Sequence, residues 1–186
     1  NVEPPEVCNG DVNGDDFVDG TDLDQWRAAL ATPAKLVFFE SPSNPMLDLV
    51  DIPAVAEMAH AAGALVVIDN VFATPIAQKP LELGADIVIY SATKHMDGGG
   101  RVLAGLILGP QKDMEEIIDP YIRHMGPSIS PFNAWVVLKG LETLNLRVER
   151  QSQNAAALAD VMAAHDAVAQ LRYPGPADHP PYAVHS

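Results

Sequence analysis

The stretch ALVVIDNVFATPIAQKPLELGADIVIYS, residues 64–91, decides the fold that this sequence predicts. It contains two apolar runs, 64–70 and 85–91, in which polar and apolar residues do not alternate. Such runs are typical of strands that are buried on both faces of a sheet. Residues 76–84 between them predict a short helix. The order of strand, helix and strand indicates two parallel strands joined by a crossover connection.

The flanking segments continue this alternation. A compact strand is predicted at 35–40, and a helix is predicted at 51–63, with a proline near its start and a glycine at its end. The other predicted elements are a short helix at 21–31, a strand at 103–109 and helices near 111–118, 131–143 and 146–170. The sequence therefore predicts an α/β domain with a mainly parallel sheet that helices cover on both sides.

The composition restricts the class of function. Hydrophobic residues make up 48% of the 186 residues and charged residues 19%, as in soluble globular proteins, and no apolar run reaches the ~18 residues of a membrane span. The net charge of −14 disfavours binding to nucleic acid. Cys8 has no partner for an internal disulfide, and the first residues show no secretory signal. We expect a cytoplasmic protein with a small-molecule ligand and with neither nucleic-acid nor membrane partners.

Polar side chains follow three of the predicted strands at the point where each strand ends. They are Glu40, Ser41 and Asn44 after the first strand, Asp69 and Asn70 after the second, and Ser91, Thr93 and Lys94 after the third. Ligands of open α/β sheets bind beyond the carboxyl ends of the strands. If the strands are parallel, these side chains share one edge of the sheet and are candidate site residues.

Two interpretations of Asp69 and Lys94 stay open on pattern alone. In the first, the two residues are caps or a structural ion pair, because a carboxylate directly after a buried strand needs a partner. In the second, they hold pyridoxal phosphate (PLP), which needs a lysine for a Schiff base and an acidic partner for its pyridinium nitrogen. Ser91 and Thr93 would then donate hydrogen bonds to the phosphate.

A rival motif overlaps the same residues. Residues 91–94, SATK, satisfy the S-x-x-K pattern of serine β-lactamases and penicillin-binding proteins. Those enzymes also need S-D-N and K-T-G further along, and this sequence contains neither. The stretch GGGR at 98–101 likewise lacks the spacing of a dinucleotide or phosphate loop. These absences disfavour a serine hydrolase, and the two interpretations of Asp69 and Lys94 both stay open at this point.

Four longer motifs carry a family resemblance. They are ESPSNP (40–45), VVIDNVFATP (66–75), ADIVIYSATKHMDGGGR (85–101) and GPSISPFNAWVVLKGLETLNLRVERQSQNA (126–155). Together they resemble the Cys/Met-metabolism family of PLP-dependent enzymes, and within it the sulfhydrylase branch related to the cystathionine γ-synthases. The resemblance runs from about Phe17 to the C-terminus. It implies a type I, aminotransferase-like large domain that is incomplete, PLP as cofactor and a homotetramer for the full-length protein.

The resemblance also implies roles for single residues. Lys94 would form the Schiff base, Asp69 would partner the pyridine nitrogen, and Ser91 with Thr93 would hold the phosphate. Asn44 would lie near the substrate carboxylate. The implied reaction is γ-replacement, in which O-succinylhomoserine, an O-acylhomoserine, loses succinate from its γ-carbon and sulfide adds there to give homocysteine. The family's other cofactor-gripping and substrate-binding segments have no counterpart in this sequence, so we expect negligible turnover by the chain alone.

The resemblance and the composition together suggest three regions. Residues 1–32 are an acidic loop and short helix, a candidate appended or chimeric segment. Residues 33–145 would be the PLP-binding large-domain core, and residues 146–186 a connecting helix with the beginning of the C-terminal domain.

The acidic stretch DVNGDDFVDGTD, residues 11–22, has a second interpretation. The side chains of Asp11, Asn13, Asp15 and Asp22, with the carbonyl of Phe17, fall at calcium-loop positions and resemble a dockerin loop. The sixth position is an aspartate rather than the usual glycine, so a solvated acidic loop is favoured and no metal site is predicted. A non-catalytic calcium-binding or interaction module with an inactive sheet remnant remains the alternative to an enzyme.

Two expectations concern the later helices. Residues 135–138, WVVL, are predicted to be helix core. Arg147 and Arg150 are predicted to form salt bridges with nearby acidic side chains.

Overall fold

The computed structural model describes residues 20–175 of the chain. The strands are β1 (Leu36–Glu40), β2 (Leu65–Asp69), β3 (Ile87–Ser91) and β4 (Gly105–Leu108). The helices are α1 (Gly20–Leu30), α2 (Ile52–Ala61), α3 (Thr74–Ala77), α4 (Gln111–Asp113), α5 (Asp119–Met125), α6 (Pro131–Leu141) and α7 (Leu144–Ala163). A 3₁₀ turn at Pro80–Leu83 follows α3, and a π-helical stretch, Met114–Ile118, joins α4 to α5.

The four strands form one sheet in the order β1-β2-β3-β4. The first three strands are parallel, with Glu40 opposite Asp69 and Asp69 opposite Ile89. The fourth strand is antiparallel to β3, with Ser91 opposite Gly105. Residues 92–104 between them contain no helix, and without a crossover the chain can only return antiparallel. The predicted α/β class with a mainly parallel sheet is confirmed.

One face of the sheet carries the core. Phe39 is 3% exposed, and its ring lies 5.7 Å from that of Trp26 on α1. The buried residues of α2, such as Val55, pack into the same cluster as Ile68. On the opposite face the neighbouring side chain Phe38 is 46% exposed. The expectation that helices cover the sheet on both sides therefore fails at β1, because α1 and α2 pack against only one of its faces.

Local sequence explains where the longer helices begin. The Asp51 carboxylate accepts a hydrogen bond from the amide of Ala54 at 3.0 Å and caps the start of α2. The hydroxyl of Ser130 accepts from the amide of Asn133 at 3.2 Å and caps α6, whose first residue is Pro131. These caps fix the helix starts to within a residue of the predicted positions.

Two predicted helices differ from the structure. Residues 76–84 form no single helix, because Pro80 forces the preceding Lys79 out of the helical region, to φ −121° and ψ 82°. The long C-terminal helix ends at Ala163 rather than near residue 170. There the imidazole Nδ1 of His165 accepts from the amide of Ala167 at 3.1 Å, a local bond that competes with helix continuation. No helix within residues 20–175 is long and apolar enough to cross a membrane.

Candidate functional site at the carboxyl edge of the sheet

The parallel strands bring the predicted site residues to one edge. Asp69 is the last residue of β2, and Ser91 is the last residue of β3. Lys94 follows Ser91 by three residues, and Asn44 follows the end of β1 by four. Because β1, β2 and β3 are parallel, their carboxyl ends share this edge. The sharing of one edge by the three strand ends, which was conditional on parallel pairing, is confirmed.

Asp69 and Lys94 do not form the structural ion pair that the sequence left open. One carboxylate oxygen of Asp69, Oδ1, accepts from the amide of Val71 at 3.0 Å in a local turn, so a capping role is present. The other oxygen, Oδ2, has no partner within residues 20–175. The Lys94 side chain is exposed and likewise has no hydrogen-bonding partner in that part of the chain. An amine and a carboxylate oxygen are thus available for a ligand.

The two predicted phosphate donors differ in their surroundings. The Thr93 hydroxyl accepts from the amide of Ala104 at 3.0 Å and lies 3.3 Å from the carbonyl of the same residue. It therefore ties the chain after β3 to the start of β4. The half-buried Ser91 hydroxyl has no hydrogen bond among the described residues. The exposed Asn44 donates its backbone amide to the Glu40 carboxylate at 3.1 Å, which leaves its side-chain amide available.

A buried polar network lies directly behind this edge. The Asn70 side-chain amide donates to the Tyr90 hydroxyl and the Gln78 carbonyl, both at 2.9 Å. The Gln78 side chain in turn donates to the side-chain oxygen Oδ1 of Asn70 and to the backbone carbonyl of Ser41, both at 2.8 Å. Burial raises the pKa of the Tyr90 phenol, an effect that the hydrogen bond from Asn70 opposes. The network links the ends of β1, β2 and β3, so it fixes their relative positions.

The Lys94 turn, defined here as residues 92–98, carries the candidate lysine. The amide of Lys94 donates to the Ser91 carbonyl at 3.1 Å, and the Lys94 carbonyl accepts from the amide of Gly98 at 2.8 Å. The backbone of the lysine is therefore held on both sides. The side chain itself is exposed, which suits a reactive amine.

Asp97 closes the glycine-rich segment that follows the lysine. Its fully buried carboxylate accepts from the backbone amide of Arg101 at 2.6 Å and from the guanidinium Nε of Arg101 at 2.9 Å. The backbone hydrogen bond from Arg101 is the main reason that the pKa of Asp97 lies below its usual value of 3.8. Burial opposes this effect, and the side-chain hydrogen bond from Arg101 adds to it. Asp97 is therefore a charged anchor, and no sequence signal singled it out.

Two predictions about the later helices are wrong. The Arg147 guanidinium donates to backbone carbonyls rather than to an acidic side chain, because those carbonyls lie against its helix. In α6, Val136 and Val137 are buried, but Trp135 is 53% exposed and Leu138 is 57% exposed. A helix that packs on one side buries only a stripe, so four consecutive residues cannot all be core.

A cleft of about 860 Å³ opens beside the candidate site. Each of the three strand-end segments contributes to its wall, through Pro42, Phe72 and His95, and α7 contributes Val148 and Gln151. Neither Asp69 nor Lys94 lines this cleft. It is mostly apolar and lies next to the candidate site, separate from the residues that were predicted to hold the cofactor.

The residues at calcium-loop positions, Asp11, Asn13, Asp15 and Phe17, lie outside the described residues, and the side chain of Asp22 is not described either. Among the residues that the structure does describe, no group of three or more His, Cys, Asp or Glu side chains is arranged to hold a metal. The choice between a solvated acidic loop, which the sequence favours, and a calcium loop is therefore not tested by the structure.

The donor set at the edge fits PLP. The cofactor needs an amine that can react with its aldehyde and a carboxylate for its ring nitrogen. Lys94 offers the amine, and Asp69 offers an unpartnered Oδ2. The Ser91 hydroxyl is free to donate to a phosphate oxygen, whereas Thr93 can do so only if its hydroxyl turns away from Ala104.

Comparison with known proteins agrees with this chemistry. The chain is 55% identical over 166 residues to the O-succinylhomoserine sulfhydrylase of Mycobacterium tuberculosis, a match that covers 89% of the chain and 41% of the relative. It is 48% identical to the O-succinylhomoserine sulfhydrylase of Pseudomonas aeruginosa, with the same coverages, and 41% identical to the L-methionine gamma-lyase of Pseudomonas putida, with coverages of 90% and 42%. The chain thus spans about two fifths of the length of the curated relatives it matches.

Solved structures of methionine gamma lyase and cystathionine gamma synthase also align with this chain. The apo methionine gamma lyase CalE6 of Micromonospora echinospora aligns with a TM-score of 0.83 at 41% identity, covering 86% of this chain and 44% of that one. Cystathionine gamma synthase of Xanthomonas oryzae in complex with cystathionine also aligns with a TM-score of 0.83, at 38% identity, covering 90% and 43%. The predicted type I PLP-dependent fold, in an incomplete form, is confirmed. A family profile described as Cys/Met metabolism PLP-dependent enzyme matches residues 12–186, and the chain belongs to that family, whose cofactor is pyridoxal 5′-phosphate.

Proposed function

We propose that this chain forms the cofactor-binding centre of an enzyme that replaces the γ-substituent of an O-acylhomoserine. The preferred reaction is that of O-succinylhomoserine with sulfide to give homocysteine. Two observations support this choice over elimination: identity is 55% and 48% to two O-succinylhomoserine sulfhydrylases, against 41% to a methionine gamma-lyase. The reaction would contribute to methionine biosynthesis, and we expect it in the cytoplasm and in a homotetramer of the full-length protein.

The observation that carries the proposal is the convergence of Lys94 and Asp69 on one edge of the sheet. When bound, PLP supplies an electron sink for the negative charge that develops on the substrate carbons. The Lys94 amine would hold the cofactor and, once displaced by substrate, move protons between the substrate carbons. The free Oδ2 of Asp69 would keep the pyridine nitrogen protonated. Ser91 and Thr93 would bind the phosphate, and Asn44 would approach the substrate carboxylate.

Borohydride trapping of PLP tests the cofactor assignment. At saturating PLP, peptide mapping should find the reduced label on Lys94, and Lys94→Ala should abolish it without unfolding the protein, because an exposed side chain adds little to packing. Asp69→Asn should still trap PLP at Lys94, because it removes a charge and not the amine. Lys112→Ala, at another exposed lysine, is the matched control and should label like the wild type. If the reduced label lies on other lysines and its amount is unchanged in Lys94→Ala, the assignment is ruled out.

The reaction itself is tested by comparing the chain with a longer protein that contains it. The chain alone should form negligible homocysteine from O-succinylhomoserine and sulfide, because it spans only 41% of the sulfhydrylase relatives. The longer protein should form homocysteine at enzyme-like rates of about 1–10³ s⁻¹. Release of methanethiol from methionine that is faster than formation of homocysteine from O-succinylhomoserine and sulfide would show that the activity is that of a lyase.

A further inference from the structure

We propose that Arg147 is a positioning residue for Lys94, an inference that rests on the function proposed above. Arg147 lies in the first turn of α7, far along the chain from the lysine. Its guanidinium Nη1 donates to the carbonyl of His95 at 2.7 Å, and Nη2 lies 3.4 Å from the carbonyl of Met96. These are the first two residues after Lys94, so the cation holds the backbone that directly follows the lysine and restricts how far the lysine can move.

The other donors of the same guanidinium fix it to the corner between α6 and α7. Nη2 also donates to the carbonyl of Gly140 at 2.8 Å, and Nε donates to the Thr143 hydroxyl at 3.1 Å. A guanidinium presents five N–H donors in a rigid planar fork. Here the fork joins the helix corner to the Lys94 turn. No carboxylate competes for it among the described residues, so all of its hydrogen bonds serve this connection.

Two glycines show that the close approach is built into the sequence. A Cβ on Gly98 would overlap the guanidinium of Arg147, with Nε at 3.0 Å, and the residue also has φ +71°. A Cβ on Gly140 would overlap the carbonyl of Met96 and lie 2.8 Å from the carbonyl of Asp97. Both positions exclude a side chain for the same reason: the Lys94 turn is pressed against Arg147 and against the end of α6.

The turn is therefore held from two sides. Asp97 binds the following segment through Arg101, and Arg147 binds the carbonyls of the two residues that follow the lysine. Placement within a fraction of an ångström matters for a reactive group, since a displacement of about 1 Å can cost on the order of 10²-fold in rate. Arg147 does not need to touch the cofactor in order to govern how fast Lys94 reacts with it.

The test combines a cofactor-free measurement with PLP trapping. Arg147→Ala should raise amide hydrogen exchange in residues 92–98 by about tenfold or more and leave exchange in α2 and β2 unchanged. The rate of borohydride-trapped labelling of Lys94 at saturating PLP should fall by roughly 10- to 100-fold. In both the exchange rate and the labelling rate, Arg147→Lys should lie between Arg147→Ala and the wild type, because an ammonium cannot bind several carbonyls at once as the planar guanidinium does. Arg150→Ala, one turn further along α7 and exposed, should behave like the wild type.

Three outcomes would overturn the proposal: exchange that rises equally in α2 and β2, exchange in residues 92–98 that does not change, or a local rise that leaves the labelling rate as it was. If Arg147→Ala does not fold, Arg147→Lys decides by the same measurements. If the wild type traps no PLP on Lys94, the proposed function fails on that result. The exchange measurement, which needs no cofactor, then decides whether Arg147 fixes the turn.

Discussion

Asp97 illustrates how one buried charge can hold a functional segment. Its carboxylate accepts from the backbone amides of Gly99 and Arg101 and from the Arg101 guanidinium, and its side chain is fully buried. These donors stabilise the charged form, which explains the lowered pKa. A carboxyl group whose folded-state pKa is depressed contributes stability that is complete above its unfolded pKa. That contribution is lost as the pH falls through the folded pKa.

We expect Asp97→Asn to lower the melting temperature at pH 7, because an amide nitrogen would face the N–H donors of Arg101. The difference from the wild type should persist down to about pH 4 and shrink below the usual pKa of 3.8. Asp119→Asn removes an exposed pair with Arg123, worth under about 1 kcal/mol, and should change the melting temperature less at every pH. Thermal scans between pH 2.5 and pH 7, at about half-unit steps, would check this. A gap that stays constant or widens on acidification would contradict the charge-based role.

The sequence could single out Lys94 and Asp69 because each follows an apolar run that ends at the carboxyl edge of a strand. It could not single out Arg147. The contact with His95 spans 52 residues, and its acceptors are backbone carbonyls, which no side-chain pattern records. The expectation of a salt bridge for Arg147 failed for the same reason.

At the scale of elements, β1 has one buried face and one exposed face. Phe39 is 3% exposed and contacts Trp26, whereas Phe38 is 46% exposed on the other face. Successive side chains of a strand point to opposite faces, so these neighbours test the same residue type in two environments within one element. Substituting each phenylalanine in turn therefore tests which face of β1 belongs to the core.

Phe39→Ala should lower the free energy of unfolding by about 3–5 kcal/mol, because it leaves a cavity against α1. Phe38→Ala should cost less than about 1 kcal/mol, since that ring is already half in water. Urea unfolding of the two variants beside the wild type measures both values. Equal losses would mean that the second face of β1 is covered in solution, and a larger loss for Phe38→Ala would reverse the assignment of the faces.

The elements that sequence predicted best are those with their own start and stop signals. The capped helix α2 and the buried strands β2 and β3 lie within two residues of the predicted bounds. The direction of β4 could not be predicted in the same way, because a short apolar run carries no information about strand direction. Only the lack of a crossover helix after β3 made that strand antiparallel, and its pairing depends on the fold of residues 92–104.

At the scale of the whole molecule, the chain combines a strong negative charge with an incompletely covered sheet. The 11 basic residues are outnumbered by 25 acidic ones. Most ion pairs in the described part are exposed i,i+3 or i,i+4 contacts, such as Lys139 with Glu142 and Arg123 with Asp119. Such pairs are each worth only about 0–1 kcal/mol. Repulsion among the unpaired acids should therefore be the larger electrostatic term.

Screening that repulsion should stabilise the protein, so we expect the melting temperature at pH 7 to rise as NaCl is increased from about 10 mM to about 500 mM, where the Debye length falls from ~30 Å to under ~10 Å. For a chain of this size, a gain of about 1 kcal/mol corresponds to roughly 2–4 °C, which a thermal scan resolves. The same series at pH 4.5, near the sequence pI, is the control and should be nearly flat, because little net charge remains to be screened. A melting temperature that falls with salt at pH 7 would contradict the argument. It would mean that attractive pairs such as Asp97 with Arg101 outweigh the net charge of −14.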